Sequence, residues 1–221
     1  MKNKELVIGA KGSYSDFRQC IASRTIGIPK KRSIKENIPF KNGSYDFSAI
    51  NGEVTYEDRD ITYTFDIIGI NMEDVEKQKR ELLEWLMSVQ DSDIHDPYIV
   101  GYHFHGSYDS CSWSENWEQC ELSVTFKVYP YLISDSSIRK SFNLLSGDND
   151  IKVFNGGSHK IVPTITTNQN LIIKKGNDSF SIGVGTFTDN IFMLEKGSNE
   201  LTVTSQNQTA TIEFEFLEEV I

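Results

Sequence analysis

The chain has 221 residues and a formal net charge of −10, a length that suits one large domain or two small ones. The acidic balance argues against specific nucleic-acid binding, which needs a basic face. Apolar runs are too short for a membrane-spanning helix or a secretory signal. We therefore expect synthesis in the cytoplasm, without membrane insertion or export.

The first predicted element is a β-hairpin in residues 34–48, IKENIPFKNGSYDFS. Asn42-Gly43 is typical of a two-residue type I′ turn between IPF and YDF. Pro39 cannot donate a ladder hydrogen bond, which predicts an edge strand or a projecting arm. The basic run Lys30, Lys31 and Arg32 precedes this hairpin. It is either a solvated loop or a positive arm that docks on an acidic surface, such as that of a neighbouring copy.

A strand and a helix follow. Residues 54–70 alternate so that Ile61, Tyr63, Phe65 and Ile67 face one way. Asn71 then predicts a helix N-cap. The helix has an apolar face at helical spacing, made of Val75, Leu82, Leu83, Trp85, Leu86 and Val89. The charged residues Glu76, Lys77, Lys79, Arg80, Glu81 and Glu84 are predicted on its other face.

Beyond the helix, strands are predicted at residues 98–104 and 120–128. In the second of these, Leu122, Val124, Phe126 and Val128 share a face. All tryptophans and tyrosines occur at or before Tyr131, and a stretch rich in Ser, Asp and Asn follows. This change predicts a first domain at 1–133, a strand-poor linker at 134–145 and a second domain at 146–221.

The second domain is predicted to be a small β-sandwich, because short strands alternate with Gly/Asn/Asp turns. Turns are predicted at Gly176-Asn177-Asp178 and at Gly197-Ser198-Asn199. In the last strand Ile212, Phe214 and Phe216 share one side.

Few residues indicate chemistry. No GxSxG, P-loop or GxGxxG motif occurs, so no catalytic residue and no cofactor is predicted. His103 and His105 form a His-x-His pair that zinc or copper could use, with Asp96 or Asp109 as a third ligand, but two half-exposed histidines on a sheet edge are the favoured interpretation. Trp113 and Trp117 could stack on a sugar or pack in an interface or core.

The order of these parts resembles the distal tail (Dit) proteins of long-tailed bacteriophages. The resemblance covers roughly residues 15–132. It rests on the IPFKNGSYDFS hairpin, the YEDRDITYTFDI strand with Arg59 at the usual basic position, the lone helix with its Leu-Leu-x-Trp-Leu segment, the Asp96-Pro97-Tyr98 to Gly101-Tyr102 element and the closing Pro130-Tyr131.

The resemblance implies a mainly β fold. Its parts are an N-terminal β-sandwich or barrel-like domain with one helix and a projecting hairpin arm, and a C-terminal galectin-like sandwich. It also implies a non-enzymatic virion protein that forms a hexameric ring at the tail tip, around a channel for DNA. The partners implied are the tail-tube protein, the tail-associated (Tal) protein and receptor-binding or baseplate proteins. The subunit interface is expected at Pro39, Phe40, Tyr45, Phe47, Lys30, Lys31 and Arg32.

Two other functions compete with a structural tail hub. One is a carbohydrate-binding module that uses Trp113 and Trp117. The other is a metal-dependent enzyme that uses His103 and His105.

Overall fold

The computed structural model describes residues 4–37, 39–40, 42–48, 54–116, 119–206 and 209–221. These residues are mainly β, with one α-helix among them. The chain divides into two compact units, Met1–Leu132 with Ile221, and Ile133–Val220. No described helix combines the length and apolar character that crossing a bilayer requires.

The elements of the first unit are β1 (Val7–Ile8), β2 (Lys11–Gly12), β3 (Ile21–Ile26), β4 (Lys35–Asn37), β5 (Ser44–Asp46), β6 (Arg59–Ile68), α1 (Met72–Met87), β7 (Ser92–His95), β8 (Tyr102–Asn116) and β9 (Gln119–Val128). Seven strands form an antiparallel sheet in the order β2-β1-β7-β8-β9-β6-β3. The predicted alternation in β6 and β9 is confirmed, because the apolar residues predicted to share a face in each strand are buried in one core.

The helix α1 packs its apolar face on this core. Asn71 is its N-cap, as predicted, and the Asn71 Oδ1 accepts a hydrogen bond from the Asp74 backbone N–H at 2.9 Å. The predicted position of Lys79 on the solvent face is wrong, because Lys79 is buried. Its ammonium reaches two carboxylates and an indole ring, which together compensate for its burial.

One predicted turn and one predicted strand of the first unit differ from the observed elements. The hairpin exists as β4 and β5, but Asn37 pairs with Ser44, so six residues rather than two connect the strands. Gly43 has a φ of 85°, but Asn42 and Gly43 are only two of the six connecting residues, so the predicted two-residue type I′ turn is wrong. The strand predicted at 98–104 begins only at Tyr102 and continues to Asn116, because β7 pairs with its first part and β9 pairs with it from Gly106 to Asn116.

From Leu132 onward the strands are β10 (Leu132–Ser134), β11 (Ile138–Leu144), β12 (Gly147–Asn155), β13 (Thr164–Thr167), β14 (Leu171–Lys175), β15 (Asp178–Ile182), β16 (Gly185–Thr188), β17 (Gly197–Ser205), β18 (Ala210–Phe216) and β19 (Glu219–Val220). Two four-stranded antiparallel sheets form the second unit, in the orders β11-β18-β13-β16 and β12-β17-β14-β15. Their inner faces enclose a core in which the predicted Ile212, Phe214 and Phe216 are buried.

The second unit corrects two predictions. The stretch at 134–145 is not strand-poor, since most of it is β11, which pairs with β18 over seven residues. The turn at Gly197-Ser198-Asn199 is also wrong, because those residues begin β17 and pair with β12. The hairpin at Gly176 is confirmed, with Lys175 paired to Asp178.

Candidate assembly surface

The arm, residues 30–57, leaves the first unit between β3 and β6. Its root is a short antiparallel pairing: Lys31 pairs with Tyr56, the Arg32 N–H donates to the Thr55 carbonyl, and the Glu57 N–H donates to the Lys30 carbonyl, both at 2.8 Å. Farther out, the Phe47 N–H donates to the Ile34 carbonyl at 2.8 Å, and β4 pairs with β5. The arm is therefore a hydrogen-bonded ribbon, held at its root by backbone groups.

Four large apolar side chains in the described part of the arm are exposed. Phe40 is fully exposed, and Ile34, Tyr45 and Phe47 are exposed by 45%, 41% and 40%. The Tyr45 and Phe47 rings stack with their centroids 6.3 Å apart, and none of these four residues belongs to either apolar core among the described residues. Since a two-stranded ribbon is marginal in water by itself, this surface gains by packing on another chain.

The other predicted interface residues are also exposed. Pro39 lies in the turn of the arm rather than in a strand, and Lys30, Lys31 and Arg32 lie at the root. The arm carries carboxylates as well. Hydrogen bonds from Ser48, with smaller contributions from nearby lysines, lower the pKa of Asp46. The arm therefore carries both positive and negative charges and is not the simply positive arm considered above.

The histidine pair lies in β8 within a hydrogen-bonded aspartate cluster. The His105 Nδ1 is 2.7 Å from the Asp93 Oδ1, and the His105 Nε2 is 2.8 Å from the Asp91 Oδ1. His103 is 3.4 Å from the same Asp93 oxygen. Both His105 ring nitrogens are therefore occupied by carboxylates, and this pairing raises the pKa of His105.

The two proposed third ligands have other roles. Asp96 is buried and accepts hydrogen bonds from Arg24 and Tyr63, and Asp109 accepts one from Ser110. A metal ion at His103 and His105 would have to displace aspartate hydrogen bonds and find a different third ligand. The cluster is explained without a metal, as a set of ion pairs between neighbouring strands.

Trp113 lies in β8 and is half exposed, whereas Trp117 lies outside the described residues. The Lys79 ammonium is 4.8 Å from the Trp113 ring centroid. A cation over the indole occupies a face that a sugar would need for stacking. The indole therefore joins helix α1 to β8 and offers at most one face for a ligand.

Two residues of this surface were not predicted from the sequence. Ile28 is 85% exposed, and Ile34 extends the apolar surface of the arm. A usable signal was present, because both are isoleucines within the polar and basic stretch GIPKKRSIK. Large apolar residues there have no periodicity that would bury them, which is typical of a contact surface.

Comparison with known proteins finds a family match over part of the chain. Residues 13–94 match the family described as phage tail protein RIFT-related domain. This segment includes the arm, β6 and the helix, and it carries most of the parts on which the sequence resemblance rests. The matched family is one of phage tail proteins.

A solved structure has a similar fold over almost the whole length of the chain. The chain is similar to the Dit protein of phage SPP1, with a TM-score of 0.71 over 98% of this chain and 99% of that one, at 13% identity. SPP1 Dit is described as a paradigm of the hub adsorption apparatus in phages that infect Gram-positive bacteria. The predicted resemblance and the mainly β fold are thus confirmed. No curated protein matches the sequence.

Proposed function

We propose that this chain is the distal tail hub of a long-tailed phage or of a related phage-tail-like particle. Copies form a ring, six by analogy with the family, at the tail tip. The first unit surrounds a channel through which DNA passes, and the ring joins the tail-tube protein to the tail-associated protein and to receptor-binding or baseplate proteins. It is made in the cytoplasm of the bacterial host and acts in the virion.

The observation that supports this proposal best is the exposed apolar surface of the arm. Phe40, Tyr45 and Phe47 are exposed and belong to neither apolar core of the described residues, and burying a large apolar side chain contributes about 1.5–3 kcal/mol. Phe40 also has a φ of 66°, which is unusual for a bulky residue and directs attention to a functional constraint. The arm would therefore pack on the neighbouring subunit of a closed ring.

The acidic character of the chain supports the passage of DNA. A net charge of −10 repels phosphates, so DNA would move through a ring of such chains without adhering to it. The two-sheet second unit is proposed to be the galectin-like appendage, which presents partner-binding surface outside the ring.

The test is the mass of the assembly. Light scattering and negative-stain images should show a ring for the wild type, and a Phe40→Ser, Tyr45→Ser, Phe47→Ser variant should be a folded monomer. The matched control substitutes three exposed apolar residues of the second unit, Phe154→Ser, Val184→Ser and Ile191→Ser, and should still form rings. A wild type that stays monomeric at all concentrations would refute the hub.

A second variant tests the arm as a whole. Deletion of residues 38–48 should leave the core of the first unit intact, since none of the described arm residues belongs to it. Rings that persist after this deletion would show that the arm does not hold the subunits together.

A further inference from the structure

Arg59 occupies an unusual position at the root of the arm. It is the first residue of β6, and it lies in the core-facing row that continues through Ile61 and Tyr63. Its strand partner is Val128, and its Cζ lies 5.0 Å from the centroid of the Phe104 ring. The residue is only 6% exposed, so a permanent cation lies at the end of an apolar core.

The guanidinium of Arg59 is not compensated within the described residues. Its Nε and Nη2 atoms are buried and have no hydrogen-bond partner there. Asp60 follows directly in the strand, but alternation places it on the opposite, exposed face. Burial lowers the pKa of Arg59, the direction expected where no counter-charge offsets desolvation. Contact with Phe104 stabilises the cation far less than a carboxylate would.

The surroundings indicate where an acceptor would come from. Arg59 lies two residues after Glu57, whose N–H closes the root pairing of the arm, and Tyr129 follows Val128, the strand partner of Arg59. The site therefore lies where the arm leaves the first unit, beside the surface that we assign to subunit contact. The chain has 32 acidic and 22 basic residues, so a carboxylate is the acceptor that a second copy offers most readily.

We propose that Arg59 is a carboxylate receptor, and that a second copy of this chain supplies the carboxylate when subunits associate. A planar guanidinium with two free donors suits bidentate binding of a carboxylate. The apolar side chains of Phe104 and Val128 would exclude water from this ion pair. This inference rests on the proposed ring, and it adds the side chain that fixes one subunit against the next.

The central test compares the wild type with Arg59→Met, which keeps an unbranched apolar stem and removes the charge. In the dissociated monomer, Arg59→Met should match or exceed the Tm of the wild type, because an unpaired buried charge has been replaced by an apolar group. Its self-association should weaken by about ten-fold or more, because a buried charge pair is lost from the interface. A purely structural arginine would give the opposite pattern, with a lower monomer Tm and no specific loss of association.

Acetate serves as a free carboxylate probe. It should raise the Tm of the dilute wild type relative to chloride at the same ionic strength, and it should leave Arg59→Met unchanged. Arg32→Met, an exposed arginine of the same root, is the control and should respond to acetate as the wild type does. If the wild type fails to associate but responds to acetate through Arg59, the carboxylate site stands, whereas the hub and the second copy as the source of the carboxylate both fail.

Three results would overturn the inference. The first is equal association of the wild type and Arg59→Met while rings still form, which leaves the hub intact. The second is the absence of both association and an acetate response. The third concerns Glu53, which lies outside the described residues: if Glu53→Gln lowers the monomer Tm and acetate restores it only in that variant, the carboxylate belongs to the same chain.

Discussion

A single buried carboxylate, that of Asp96, connects three segments of the first unit. Its Oδ2 accepts hydrogen bonds from the Tyr63 hydroxyl at 3.0 Å and from the Arg24 guanidinium at 2.5 Å, and its Oδ1 accepts one from the Tyr98 N–H at 2.8 Å. The Arg24 guanidinium also lies over the Tyr98 ring at 4.6 Å. Burial and then Asp96 raise the pKa of Tyr63, so this phenol remains a donor.

Asp96→Asn should lower the free energy of unfolding by about 2–4 kcal/mol, because the amide removes the charge that pairs with Arg24 and replaces one acceptor with a donor. Urea denaturation measures the change. Asp109→Asn is the control, since Asp109 is exposed and accepts a hydrogen bond from its neighbour Ser110. Equal stability of the wild type and Asp96→Asn would show that the network does not hold these segments together.

The His105 cluster makes stability depend on pH. The hydrogen bond with Asp93, followed by that with Asp91, raises the pKa of His105, so its stabilising contribution is complete below the ordinary value of 6.5 and is lost as pH rises through the folded pKa. The pKa of Asp93 is lowered, chiefly by His105, so the contribution of Asp93 is lost as pH falls below 3.8 through its folded pKa. The pairing is therefore strongest between those limits.

The wild type should thus exceed His105→Gln in Tm at about pH 5.5 and approach it at about pH 8.5. Calorimetry at both values checks this. An Asp91→Asn, Asp93→Asn variant should show the same loss of pH dependence. A difference between the wild type and His105→Gln that is constant with pH would mean that packing, and not charge, accounts for the role of His105.

Among the elements, helix α1 shows what the sequence predicts well and what it does not. The N-cap and the apolar face follow from local rules, and both are confirmed at Asn71 and at Val75, Leu82, Trp85 and Leu86. Lys79 was misplaced because its partners are remote in sequence. Its ammonium is 2.6 Å from Glu76 but also pairs with Glu115 and Trp113 on β8. The segment SYDSCSWSEN lacks a buried alternating pattern, so neither the strand nor this contact was predicted.

Lys79→Met should lower stability by about 1–2 kcal/mol, because the stem still packs while Glu76 and Glu115 lose their shared cation. The matched control is Lys77→Met, an exposed lysine two residues earlier, which should change stability by less than about 0.5 kcal/mol. Thermal unfolding of the two variants gives the comparison. Equal effects would show that Lys79 behaves as an ordinary surface residue despite its burial.

The hairpin shows a second limit of local rules. Asn-Gly favours a tight turn, but pairing in the arm ends at Asn37 and Ser44, and the turn includes Pro39 and Phe40. The surface formed by the arm was predictable in outline from Phe40, Tyr45 and Phe47. Arg59 could not be recognised as buried and uncompensated, because that depends on how β8 and β9 close around it.

At the scale of the whole molecule, each unit has its own apolar core. In the second unit this core contains a chain of aromatic contacts, Phe180 to Phe192, Phe192 to Phe214 and Phe214 to Phe142, at 5.2, 6.2 and 6.4 Å. Phe214 is fully buried at the centre of that chain. Separate cores of this kind predict two cooperative folding units.

All three tryptophans precede residue 118, so tryptophan fluorescence reports on the first unit alone. Phe214→Ala should destabilise the second unit by about 3–5 kcal/mol and shift part of the circular-dichroism transition, without moving the fluorescence midpoint. Phe65→Ala, equally buried in the first core, should shift the fluorescence midpoint instead. If Phe214→Ala moves both signals together, the two cores unfold as one. Residues 133–220 expressed alone should then fail to fold, whereas independent cores require that they melt cooperatively as an isolated fragment.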